Sequence, residues 1–342
     1  MASTAKVSES YIFQLSVIVV SFNTRDLLRE CLQSLLAECA RNPVNVTAEI
    51  LVIDNASRDQ SPEMVEQEFS HLATPVRLIR SQVNLGFGGA NNLAIREARG
   101  RYIVLLNSDA FLASGALIRA WEHMEQSPST GFGGARLVSR EGALQPSARR
   151  FHTIWRDAMV LFGLAARFPK SRIFSSLDRT WADPELAAEV DWVPGAFMII
   201  RRKVLSEVGF FDPRFFLYYE ETDLCRRAKS AGFRISYWPD VVVTHIVGGS
   251  GRQLSSLTES KARVELWRMR STLLYYRKHH GWQAGLAMLL EVCLYTVRDW
   301  RNRISRDPGR RARAEEAKVL AGLMCQAWRD TSGGRVSPPM PW

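Results

Sequence analysis

The chain has 342 residues, 46 % hydrophobic and 23 % charged, the proportions of a soluble globular protein with one large core or two moderate ones. No run reaches the roughly eighteen apolar residues of a spanning helix, since the nearest, Ala284 to Val297, is interrupted by Glu291. The net charge of +10 points to an anionic partner: nucleic acid, anionic lipid headgroups or a phosphorylated substrate.

Leu15 to Phe22 reads as a strand buried on both faces, and Leu28, Leu32, Leu35, Leu36 and Cys39 then recur at helical spacing. Ala48 to Ile53 is a second strand ending in Asp54-Asn55. A helix from about Pro62 to Phe69 leads to a third strand, Val76 to Arg80. A glycine-rich turn, Asn84 to Asn92, precedes a helix running to about Ala98, and Tyr102 to Leu106 is the next strand. This alternation predicts βαβ units with right-handed crossovers. From Arg149 to Val190 aromatic residues interleave with arginines and lysine without a clean period, which reads as an insertion or long mobile segment. A strand is expected over Ala196–Arg201, a helix over Glu221–Ala231 ending at Gly232, and a strand pair over Arg234–Trp238 and Val241–His245. From Ser260 the pattern is helical in two segments that break at His280-Gly281, and the Gly-, Ser- and Pro-rich run after Thr331 is expected to be disordered.

Several strand ends carry polar groups that could do chemistry. Asn107-Ser108-Asp109 closes an apolar strand with its outer residues on one face, where a hard divalent cation could be held; the same residues also form ordinary turns. Asp54 could accept hydrogen bonds from a base or a ribose, while its neighbours Asn55, Ser57 and Asp59 could simply cap the next helix. Glycine-rich Asn84 to Asn92 could let backbone N–H groups approach a phosphate, or be a plain loop. It does not match G-x-G-x-x-G and follows the third strand, so a nicotinamide enzyme is disfavoured, and no phosphate-binding G-x-x-x-x-G-K-[ST] run exists. Glu220, Glu221 and Asp223 follow an aromatic run from Phe211 to Tyr219. Such carboxylates could favour a helix start, or one could be a general base of raised pKa. His245 ends a strand and precedes Gly248-Gly249-Ser250-Gly251. His279-His280 reads as a helix C-cap. The five cysteines form no C-x-x-C pair and read as free, mostly buried thiols in a reducing compartment.

These runs, in this order on an α/β background, resemble the inverting family 2 glycosyltransferases of GT-A fold, most closely their bacterial rhamnosyltransferase-like branch. The matching runs are residues 16–23, 52–57, 84–88, 105–109, 195–198 and 216–224, and the likeness covers about residues 14 to 250. The resemblance implies a mostly parallel Rossmann-like sheet flanked by helices. It implies transfer of a sugar, rhamnose foremost, from a dTDP-, UDP- or GDP-linked donor to a hydroxyl of a glycan or lipid-linked acceptor in cell-surface polysaccharide synthesis. Ser21, Asn23 and Asp54 would hold the nucleoside; Asn84, Gly86, Gly88, Asn91 and Asn107 would line the donor. Asp109 would coordinate Mg²⁺ or Mn²⁺, with His245 as a further ligand. The base, usually an aspartate in Glu-Asp-x-Asp, falls on Glu221 of Glu220-Glu221-Thr222-Asp223, with Asp223 or Glu220 as alternatives. Asn107 stands where many relatives in the wider fold carry an aspartate, which lowers the charge of the metal site.

The expected organisation is an N-terminal tail (1–13), a catalytic domain (14–255) with an acceptor-side segment (149–190), an accessory helical region (256–331) and a tail (332–342). Met1 to Ser10 lacks an apolar signal core, so a cytoplasmic protein is expected, at the inner face of the membrane. Leu286, Leu289, Leu290, Cys293, Val297 and Trp300 form one helical face beside an arginine-rich continuation, suited to an anionic membrane, to internal packing or to a homodimer. Two other readings stand: a sugar nucleotidyltransferase, which would normally carry a glycine-rich loop at its first strand, and a non-enzymatic nucleic-acid-binding protein, whose recognition patterns are not found here.

Overall fold

A computed structural model describes residues 11–41, 46–246, 258–304 and 307–341. The glycine-rich run after His245 lies outside these residues, as do residues 1–10.

The first half alternates as expected: β1 (Phe13–Ser21), α1 (Arg25–Ala40), β2 (Ala48–Asp54), α2 (Ser61–Phe69), β3 (Val76–Arg80), α3 (Gly86–Glu97) and β4 (Gly100–Asn107). There follow β5 (Ala110–Leu112), α4 (Ala116–Gln126), β6 (Thr130–Val138), β7 (Leu144–Gln145), α5 (Ile154–Leu161), α6 (Leu164–Arg167), β8 (Ala188–Glu189), β9 (Phe197–Arg201) and α7 (Arg202–Val208). The chain continues with α8 (Glu220–Ser230), β10 (Arg234–His245), α9 (Glu259–His280), α10 (Gln283–Arg303) and α11 (Pro308–Asp330).

One sheet runs β3-β2-β1-β4-β9-β6-β10-β5, with β7 on β6 and β8 on β10. Its first four strands are parallel, and β9 enters antiparallel between β4 and β6. Period-two alternation divides β1 between two cores. Val17 and Val19 meet Leu28, Leu32 and Leu35 of α1, whereas Ile18 faces Ala90, Ala94 and Ile95 of α3. The register places Ser21 beside Asp54 and Val20 beside Asn107, so the polar ends of β1, β2 and β4 share one edge.

Five expectations need correction. Gly86, Gly88 and Gly89 belong to the first turns of α3 rather than to a turn before it. A Cβ on Gly86 would lie 2.1 Å from Phe216 O, so the glycine allows close packing of this helix start. The 149–190 segment is folded, with α5 capped by the Thr153 side chain, and Arg149 bound to Asp178 while stacked on Trp192. The expected strand pair is one strand, β10, whose register shifts between Trp238 and Val242 around Pro239. The C-terminal region holds three helices, since Asp307 and Pro308 cap a new one. Finally, the tail from Ser332 is pinned over its first residues: Arg335 N–H donates to Thr331 O at 2.8 Å and Arg277 Nε to Gly333 O at 2.9 Å. No helix among the described residues is long and apolar enough to cross a membrane.

Candidate active site

A cavity of about 570 Å³ opens beyond the ends of β4 and β10. Asn107, Gln145 and His245 from strand ends line it, as do Tyr218, Tyr219, Glu220 and Glu221 from the start of α8 and the residues before it. Arg149 and His152 come from the 149–190 segment, and Arg268 and Glu291 from α9 and α10.

At the strand-end side, antiparallel pairing of His245 with Ala110 brings the imidazole Nε2 to 3.4 Å from Asp109 Oδ1. The Asn107 amide lies 3.5 Å from the same nitrogen. Gln145 Nε2 donates to His245 O at 2.7 Å, which turns its Oε1 toward His245 Nδ1 at 3.0 Å. That arrangement assigns the proton to Nδ1 and leaves the Nε2 lone pair facing Asp109, as in oriented metal-ligating histidines. One carboxylate and one oriented imidazole fit a divalent cation that accepts both oxygen and nitrogen, with the remaining positions left for substrate oxygens. Among the described residues no group of three or more His, Cys, Asp or Glu side chains converges on a metal position.

Ser21, Asn23 and Asp54 cluster at the same sheet edge but outside the cavity wall. Asp54 is buried and accepts Ser57 N–H at 3.3 Å on both oxygens; burial raises its pKa against that bond and the nearby Arg80. A hydroxyl chain joins this cluster to the triplet, with Ser21 Oγ 3.0 Å from Thr24 Oγ1, which donates to Ser108 Oγ at 2.8 Å. Asn23 adopts φ 54° and its Oδ1 accepts Arg58 N–H at 2.8 Å, tying the two strand ends together.

The residues expected from the 84–91 run are placed differently. Only Phe87 of that run reaches the cavity. Asn84 Oδ1 accepts Asn55 Nδ2 and Gly86 N–H, both at 2.9 Å, and Asn91 Nδ2 donates to Phe87 O at 2.9 Å. Gly88 leaves room for Phe211 and Glu220, whose Cβ atoms lie 3.1 and 3.4 Å from where its own would be. This run is therefore a platform under the acidic segment.

Tyr218 and Tyr219 both hold left-handed backbone, φ 68° and 69°, a strained pair that delivers Glu220 and Glu221 to the first turn of α8. One oxygen of each glutamate, Oε2, is buried without a partner. Burial raises both pKa values, and the Glu221 charge adds to the rise at Glu220. At Glu221 a backbone hydrogen bond from Gly195 and the charges of Arg149 and His152 act the other way.

Asp223, the third carboxylate of the expected set, is placed apart from the two glutamates. It does not line the cavity. Its Oδ1 binds Lys278 Nζ and His279 Nε2, both at 2.7 Å, and its Oδ2 binds Arg227 Nε at 2.9 Å. Burial opposes its charge, but the bonds from His279 and Lys278, with Arg227, hold its pKa down. Asp223 thus locks α9 to α8, and His279 is its partner rather than a helix cap. The C-terminal helices also support the acidic segment directly: Ser271 Oγ donates to Leu217 O at 2.8 Å, and the Phe216 ring packs tilted on Trp267 with centroids 4.4 Å apart.

Sequence reasoning missed Gln145, the His152–Asp157 pair at 2.8 Å, and the Arg268–Glu291 pair at 2.8 Å. Each comes from an element far along the chain from the motifs, and none sits in a recognisable spacing.

The model of "Glycosyl transferase family 2" matches residues 16–209, more than half of the chain. The N-acetylglucosaminyl-diphospho-decaprenol L-rhamnosyltransferase of Mycobacterium tuberculosis (strain CDC 1551 / Oshkosh) is 27 % identical over 90 % of this chain and 98 % of its own. Rhamnosyltransferase WbbL of Escherichia coli (strain K12) is 27 % identical over 76 % of this chain and 91 % of its own. Among solved structures, GalNAc-T7 with UDP, GalNAc and Mn²⁺ has a TM-score of 0.56 at 16 % identity, covering 95 % of this chain and 58 % of its own. Mannosyltransferase PcManGT from Pyrobaculum calidifontis, in complex with GDP-Man and Mn²⁺, has a TM-score of 0.50 at 17 % identity, covering 97 % and 78 %. These likenesses carry the fold, which is GT-A.

Proposed function

The chain belongs to glycosyl transferase family 2 and is a glycosyltransferase, and from that premise we propose that it transfers rhamnose from a nucleoside diphosphate donor to a hydroxyl of a lipid-linked glycan. The observation that carries this reading is one cavity lined both by an oriented histidine that neighbours Asp109 and by two glutamates, Glu220 buried and Glu221 half-buried, each with one buried, unpartnered oxygen. Similarity to two rhamnosyltransferases, one named for a diphospho-decaprenol substrate, supports the sugar and the acceptor class. In this reading the enzyme meets its acceptor at the inner face of the cytoplasmic membrane, with its C-terminal basic helices in peripheral contact.

Ser21 and Asp54 bind the nucleoside at the sheet edge. Asp109 and His245 would hold a divalent cation, Mn²⁺ or Mg²⁺, which supplies charge to offset that developing on the departing diphosphate. Glu221 takes the acceptor hydroxyl proton. Its pKa, raised by burial, makes it a stronger base than a solvated carboxylate, while Arg149 and His152 keep its charged form accessible. Glu220 retains its proton more firmly, so the pair avoids two adjacent buried charges. Arg268, held between Glu291 and Glu265, closes the acceptor side.

The test is a thermal-shift panel of dTDP-, UDP- and GDP-sugars with and without Mn²⁺, followed by acceptor trials with the best donor. A metal-dependent shift with one donor, then sugar transfer to a diphospholipid-linked acceptor, is expected. Metal-independent binding would remove the cation from the site, and a shift with nucleoside triphosphates alone would favour nucleotidyl transfer.

A further inference from the structure

The outer side of α10 leaves a long apolar stripe uncovered. Trp282, Leu286, Leu289, Val297, Trp300 and Ile304 are all exposed, the two tryptophans by 70 % and 67 %. At helical rise the stripe is roughly 33 Å long, with an aromatic residue near each end. Ala284, Ala287, Glu291 and Leu294 are buried on the opposite side, so the helix is already packed and this face is surplus to the fold.

Beside the stripe lies a groove of about 810 Å³ between α10 and α11. Leu290, Leu294 and Leu320 give it an apolar lining, and Arg298, Arg301, Arg310 and Arg313, the last 4.0 Å from Asp307, outnumber Glu316 in a basic one. Among the described residues neither Arg301 nor Arg310 is paired with a carboxylate, whereas Arg303 is held by Asp299 and Glu315. We propose that this face docks the enzyme on an anionic lipid bilayer, with the stripe in the headgroup–acyl boundary and lipid phosphates against Arg298, Arg301, Arg310 and Arg313.

Charge complementarity selects the occupant. A second copy related by a two-fold axis would set like-charged arginines against each other. A nucleic acid would match the arginines but leave the aliphatic part of the stripe in water. An anionic bilayer satisfies both, since tryptophan and arginine side chains each favour the interface. The position also serves the chemistry, and here the inference rests on the proposed transfer to a lipid-linked acceptor. Glu291 on the inner side of α10 lines the catalytic cavity, and Phe162 of the groove directly follows Val160 and Leu161 of the cavity. Docking on α10 therefore holds the Glu291 wall of the cavity one helix diameter, roughly 10 Å, from the headgroup layer.

The experiment is co-sedimentation of the full chain with phosphatidylcholine vesicles and with vesicles of phosphatidylcholine and phosphatidylglycerol in equal parts. Binding to the anionic vesicles should be at least roughly tenfold tighter. Arg301→Gln/Arg310→Gln should weaken it about twenty-five-fold, roughly fivefold for each arginine, and Leu289→Ser/Trp300→Ser should weaken binding to both vesicle types. All these side chains are exposed, and each variant's donor-induced thermal shift reports that its donor site is intact. Equal binding to the two vesicles, or none, overturns the proposal. So does a dimer in light scattering that Trp300→Ser converts to monomer, or duplex DNA binding that outcompetes the vesicles. Lipid binding without any donor shift in the unsubstituted chain would instead sink the glycosyl-transfer reading and leave the docking face standing.

Discussion

The strand-end cluster and the glutamate segment are built by different means. Ser21, Asp54 and Asn107 sit where three parallel strands stop, at positions that the register makes neighbours, and Asp109 follows two residues on. Backbone pairing alone puts them together. Glu220 and Glu221 instead depend on a strained tyrosine pair, on glycines of α3 beneath them, and on α9 and α10 beside them. The strand-end side is set by the register of one sheet; the glutamate side is assembled by packing between separate helices. Substitutions should therefore act cleanly on function at the first side, and mix function with stability at the second.

The largest effect should come from Glu221→Gln, which removes the base with little change of shape. Transfer should fall by about 10² to 10⁴-fold, with donor affinity by calorimetry unchanged. If Glu220→Gln suffers that loss and Glu221→Gln does not, the roles within the pair are reversed. Asp223→Ala strikes the same helix but should read out as stability. Removing one partner of a buried ion pair costs about 3 to 5 kcal/mol, and here Lys278, His279 and Arg227 all lose theirs. Denaturant melts should show the loss, while the folded fraction keeps most of its turnover per molecule. A turnover loss equal to that of Glu221→Gln at unchanged stability would return Asp223 to the chemistry. On the strand-end side, Gln145→Ala should leave the fold intact and weaken Mn²⁺ affinity about 10- to 100-fold, because only the orientation and tautomer of His245 change. Unchanged Mn²⁺ affinity would mean that His245 is not a ligand.

This contrast also explains what was legible in the sequence. From Phe13 to Asn107 the helices and strands follow their hydrophobic periods, and the polar strand ends can be picked out by eye. β6 could not be found that way, because Gly131, Gly133 and Gly134 argue against a strand. They are there because a Cβ on Gly133 would lie 1.9 Å from the Trp238 ring, and one on Gly134 2.5 Å from Val193. Glu220, Glu221 and Asp223 were visible as an acidic helix start, but their division of labour was not. Glu220 and Glu221 meet the cavity, while Asp223, two residues beyond Glu221 and on another face of α8, meets a lysine, a histidine and an arginine from two helices. Spacing within α8 carries no record of α9.

The smallest predicted effect separates these carboxylates by the sign of their pH dependence. Glu220 and Glu221 are raised in the folded chain, so the unfolded chain gives up their protons first as pH rises. Their contribution to stability is complete below the ordinary glutamate range, about pH 4.3, and is lost as pH climbs through the raised values. Asp223 is lowered, so its contribution is present above the ordinary aspartate range and is lost as pH falls through the folded value. Melting temperature against pH should therefore decline on both limbs, the alkaline one belonging to the glutamate pair and the acid one to Asp223. Glu220→Gln should make the alkaline limb shallower and leave the acid one. Transfer rate should rise along the same alkaline limb, because Glu221 works only after losing its proton. Activity and stability thus run in opposite directions over one titration, as expected of a base kept in an unfavourable site. An alkaline limb that keeps its slope in both Glu220→Gln and Glu221→Gln would show that the pair is not buried in solution, and the glutamate end of the cavity would have to be redrawn.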